Sequence, residues 1–85
     1  MAKLREMQAD KGDALLKEYD LANLAETAEA RRLFNLSVFG SATPDQAARP
    51  RKLAFANYGS GRQQLIKQFD ETAPDIVIMP MVVGG

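Results

Sequence analysis

Residues 1–39, MAKLREMQADKGDALLKEYDLANLAETAEARRLFNLSVF, decide how the chain is read. Ala, Leu, Glu, Lys, Arg, Met and Gln dominate, and all are good helix formers. At about 100° per residue, Leu4, Met7, Ala14, Leu15, Leu21, Ala22, Ala25, Leu33, Leu36 and Phe39 gather on one side of a helix. Lys11, Glu18, Glu29 and Arg32 interrupt that stripe. The stretch therefore predicts a long N-terminal helix over 1–40. Gly12 is a weak point in it, or else Asp13 caps a fresh start. Gly40 closes the helix at the position where glycine commonly does so.

The end of this predicted helix is apolar on several sides, through Leu33, Phe34, Leu36, Val38 and Phe39. A helix apolar most of the way round is buried on most sides. Leu33, Phe34, Leu36 and Phe39 are therefore candidates for docking onto other subunits.

Residues 41–60 read as a loop holding a one-turn helix near 44–48. Thr43 and Gln46 have the spacing of a capping box, Pro44 suits the first helical position, and Pro50 stops propagation. Within the loop, LAFANY at 53–58 alternates, as either a short strand or an extended strip would. Leu53 and Phe55, with Asn57 a further candidate, then share one face, and Ala54, Ala56 and Tyr58 the other. Ser60 and Gln63 repeat the capping-box spacing, so a second helix of about three turns is expected over 61–73, with Leu65, Ile66 and Phe69 as its stripe. Residues 74–85 read as an extended arm, rich in β-branched side chains and interrupted by Pro80. The expected class is mainly α.

Composition narrows the function. The chain has 85 residues, one small domain or a subunit of something larger, and its 11 basic and 11 acidic side chains cancel. It has no Cys and no His. A disulfide scaffold, a thiolate metal site, a Cys nucleophile and an imidazole base are thus excluded, and no catalytic, cofactor-binding or metal-ligating residue is assigned. Asp20, Glu26 and Glu29 at helical spacing read as a solvated face. The charged N-terminus has no secretory h-region, and no apolar run spans a membrane. A cytoplasmic or virion location is expected.

Charge is uneven along the chain. Arg49, Arg51 and Lys52 cluster, and Arg62 follows; they suit an acidic partner, with nucleic acid a less favoured contact in a neutral chain. Gly59-Ser60-Gly61-Arg62 reads as a capping turn rather than a phosphate cradle.

The last stretch, DIVIMPMVVGG at 75–85, resembles the tails of small ubiquitin-like sulfur carriers, the molybdopterin-synthase small subunit and its relatives. Val77, Pro80, Val82, Gly84 and Gly85 carry the likeness, over about eleven residues. The resemblance implies a terminal Gly-Gly that is adenylated and thiocarboxylated; glycine is slim enough to thread a narrow active-site channel. It also implies a fold that opens on a β-hairpin, where residues 1–39 here predict helix.

Three functions stand as expectations. The first is a non-catalytic structural or connecting subunit of a large assembly, most naturally a virion-type particle, present in many copies. It would dock through the helix end and through Ile76, Ile78, Met79, Met81 and Val82 of the arm. Such an apolar arm needs a neighbour's groove or sheet edge. The second is a Gly-Gly-tailed carrier, and the third a nucleic-acid-contacting accessory protein using Arg49, Arg51, Lys52 and Arg62.

Overall fold

Alternation rather than helix propensity governs the first nineteen residues. The computed structural model describes residues 1–8 and 12–81. In it β1 (Ala2–Gln8) and β2 (Gly12–Tyr19) form an antiparallel hairpin. Ala2 and Leu4 are buried on one face, while Lys3 and Arg5 lie on the other. The long helix expected over 1–40 is thus corrected to a hairpin followed by a shorter helix. Gly12 adopts φ 70° where β2 begins, a backbone state glycine reaches without a Cβ clash. Between Leu4 and Arg5 the register slips, so β2 has one extra residue. The resulting bulge sends Leu16 against the core and leaves Leu15 exposed.

The helix α1 (Leu24–Phe39) begins only after this hairpin. Asn23 is its N-cap: the side chain accepts from the Glu26 N–H at 3.1 Å, and Glu26 accepts from the Asn23 amide at 2.9 Å. Gly40 closes it as expected, with φ 77° and its N–H donating to the Leu36 carbonyl. Thr27, Ala30, Phe34 and Val38 form its buried side.

The remaining strands are β3 (Lys52–Asn57), β4 (Gln63–Ile66) and β5 (Asp75–Pro80). In place of the one-turn helix expected near 44–48 there is a single turn, closed by the Ala48 N–H on the Asp45 carbonyl at 3.0 Å. The second helix expected over 61–73 is β4 and turns instead. Gly59, Ser60 and Gly61 all have positive φ, which makes the Gly-Ser-Gly stretch a hairpin turn. Gln63–Ile66 then pairs antiparallel with Ala54–Asn57.

The sheet order is β2-β1-β5-β3-β4. The fold is therefore α/β, a five-stranded mixed sheet with α1 as the one helix among the described residues, and not mainly α. Asp75–Pro80 of the expected C-terminal arm is its central strand, parallel to β1 on one side and antiparallel to β3 on the other. Ile76 and Ile78 are fully buried with Leu4, Phe34, Val38, Ala54 and Ala56 between sheet and helix. Phe69 closes one end of this core, its ring centroid 5.7 Å from that of Phe34 and 6.1 Å from that of Tyr19. Among the described residues, the other sheet face carries no helix.

Candidate functional site

The strand β5 stops at one end of the sheet, and that end is built from three elements. On one side the β1 register closes with Glu6 opposite Ile78; on the other the β3 register begins with Lys52 opposite Pro80. The C-terminus of α1 lies above both. Glu6 accepts from Lys52 Nζ at 2.6 Å and from the Ser37 hydroxyl, which ties strand, strand and helix together. Burial opposes ionisation of Glu6, but the bonds from Lys52 and Ser37 outweigh it and hold the carboxyl below its usual range.

Arg51 is fixed just outside this clamp. Its backbone N–H donates to the Val38 carbonyl at 2.6 Å, and an ideal Cβ on Gly40 would stand 2.9 Å from its Nη1. The last turn of α1 has no basic side chain of its own, so Arg51 is the cation beside the negative end of the helix dipole. Past Pro80 the sequence is Met81-Val82-Val83-Gly84-Gly85, with Met81 exposed. Five residues reach at most about 17 Å beyond the sheet.

The open sheet face runs back from this end. Met7, Phe55, Val77 and Met79 line a shallow groove of about 380 Å³ with Arg5, Asp13 and Gln63. Leu15 and Leu65, 54% and 52% exposed, lie on the flanking strands. Arg5 binds Asp75 through two bonds of 3.1 Å and 2.7 Å and reaches Asp13 at 3.0 Å. The face is apolar, crossed by one arginine held between two carboxylates.

The structure divides the residues expected to dock partners. Phe34, Ile76 and Ile78 are core, and Leu33 and Phe39 pack against it, so these five are spent internally. Leu36 is 40% exposed on α1, across the sheet from the open face. Met79 lies on the open face and Met81 at the root of the tail; Val82 lies outside the described residues. Arg49, Arg51 and Lys52 do come together at the tail root. Arg62 does not: its carbonyl accepts from the Tyr58 N–H beyond the far end of β3. That end is about 17 Å along the strand from Lys52. Of the acidic residues weighed for a metal, Glu26 caps α1 and Glu29 pairs with Arg32 at 2.5 Å. Sequence reading misses Glu6, Ser37, Arg5 and Val77 as parts of this end and face. Phe55 is signalled only by the alternation along β3.

Comparisons with protein-family models, with curated proteins and with solved structures gave no match to the chain.

Proposed function

We propose that the chain is a small carrier protein whose reactive group is the carboxylate of Gly85. The observation that carries this reading is the place of β5. The Gly-Gly sequence follows the central strand of the sheet after only Met81, Val82 and Val83, so a packed sheet holds the root of a slim tail. The chain also opens on a hairpin, as the tail's resemblance to ubiquitin-like sulfur carriers implies. Fold alone does not assign function, so the weight rests on fold and tail together.

The chemistry is that of a protein substrate rather than an enzyme. A Gly85 carboxylate oxygen attacks the α-phosphorus of ATP held by a partner enzyme, and pyrophosphate leaves. A persulfide of a sulfur-donor protein then attacks the acyl carbon and releases AMP. A thiolate reduces the acyl disulfide and leaves the thiocarboxylate. Tight passage of the tail needs residues without a Cβ at the reacting end, which Gly84 and Gly85 supply. The open apolar face beside the root offers the partner a surface on which Arg5 is already engaged by Asp75 and Asp13.

The assembly-subunit reading draws on an apolar arm in need of a neighbour. Asp75–Ile78 of that arm is paired on both edges within the chain, so this stretch is not free to add to a neighbour's sheet.

The test is to incubate the full chain with ATP and the ubiquitin-activating-type adenylating enzymes of the same organism, and to follow pyrophosphate release and the intact mass. The reading requires a free Gly85 carboxylate in the cell, whether as the translated end or after cleavage, and the mass of the cellular protein checks that. Charging at Gly85 is expected; its absence with every such enzyme overturns the reading.

A further inference from the structure

The chain is neutral overall, and the two ends of β5 differ in how their charges are paired. At the end where β5 starts, Arg5 binds Asp75 and Arg31 binds Glu71. At the end where β5 stops, Arg49 and Arg51 are exposed and, among the described residues, neither has a carboxylate within ion-pair distance. Lys52 beside them is engaged by Glu6. Residues 41–69 hold a single acid, Asp45.

We infer that Arg49 and Arg51 form a basic collar around the root of the tail, and that the partner receiving the tail carries an acidic rim at its channel mouth. The inference rests on the carrier reading and adds its electrostatics. Arg51 does not need to be ordered on binding, because its backbone bond to Val38 and its packing over Gly40 already place it. Two exposed arginines with no carboxylate partner among the described residues draw this end of the molecule toward an acidic mouth. Such steering raises association rates by about 10- to 1,000-fold and is screened by salt. Nucleic acid is the disfavoured partner of this surface. Arg62 is at the other end of the sheet, and so is Tyr58, so the two do not add to the collar.

The test uses the adenylation assay with the full chain, wild type and Arg49→Glu/Arg51→Glu. The wild type should lose kcat/KM as salt rises. The double variant should show at least about tenfold lower kcat/KM at low salt, through KM, with kcat retained and a flat salt dependence. Arg49→Lys/Arg51→Lys, which keeps the charge, should stay near wild type, and circular dichroism of each variant controls for folding. Equal kcat/KM for wild type and the Glu variant overturns the collar while leaving the carrier reading standing. No charging of the wild type overturns both. Tight binding of the wild type, but not the Glu variant, to a single-stranded oligonucleotide would also overturn it.

Discussion

Replacing Ile78 with Ala tests whether β5 is the middle of the fold or a free arm. Ile78 is fully buried and its strand is paired on both sides. The change removes three carbons at about 0.8 kcal/mol each, roughly 2.4 kcal/mol of transfer energy. The unfilled space beside Phe34 and Val38 adds to that, giving about 3 kcal/mol, within the usual range of about 2–5 kcal/mol. A chain of this length has a total stability of about 4–13 kcal/mol, at roughly 0.05–0.15 kcal/mol per residue. One side chain thus carries a large share of it. With a shift of about 4–8 °C per kcal/mol, Tm should fall by roughly 12–24 °C. Urea and thermal unfolding by circular dichroism measure both quantities. Met79→Ala, one residue on and facing the open side, should cost about 1 kcal/mol or less. Equal small losses at the two positions, under about 1 kcal/mol, would refute the placement of β5.

Gly40→Ala should destabilise the fold by about 1–2 kcal/mol, the cost of a side chain in the left-handed region, and urea unfolding reads it. The φ of Gly40 is positive, and a Cβ there would meet Arg51 at 2.9 Å. Tyr19 is buried with its hydroxyl unpaired, and burial, then Asp75 and Asp70, push its pKa up to about 12. Its neutral form is favoured in the fold, so its contribution is complete below pH 10 and is lost as pH rises towards 12. Tyr19→Phe should abolish that loss and hold or raise stability at neutral pH, measured by thermal unfolding across pH. Glu6 and Asp70 are both held below the ordinary carboxylate range, Asp70 by bonds from Thr72 and then Tyr58. Their contribution is therefore complete above about pH 4 and is lost as pH falls below it. Glu6→Gln with Asp70→Asn should flatten the acid limb of stability against pH.

Legibility in the sequence depends on the range of the contacts. Gly40 as the end of a helix is legible, since a C-cap is a local event. So is the alternation of LAFANY, with Ala54 and Ala56 inward and Leu53 and Phe55 outward. The first hairpin is not. Leu, Lys, Glu and Ala in 1–19 favour helix locally, but β1 is held as a strand by β5, with Leu4 paired to Ile76 at the far end of the chain. No short window of sequence contains that partner. Gly12, between Lys11 and Asp13, is a local sign of a turn. The second helix misleads for the opposite reason: Gly-Ser-Gly has the spacing of a cap, yet its three positive φ values make it a hairpin. At the site, the basic cluster and the Gly-Gly tail are visible as separate motifs. The placing of the basic cluster beside the end of β5 is not, because it depends on Lys52 standing opposite Pro80.

The carrier account is tested most directly by the intact mass of the chain after reaction with ATP and its adenylating enzyme, comparing the full chain with one lacking Gly84 and Gly85. The account predicts an adenylyl increment on the C-terminal peptide of the full chain, none on the truncated chain, and the same unfolding curve for both, since the two glycines follow the last strand in sequence. An unmodified full chain under all such enzymes, or an increment that survives the truncation, contradicts it.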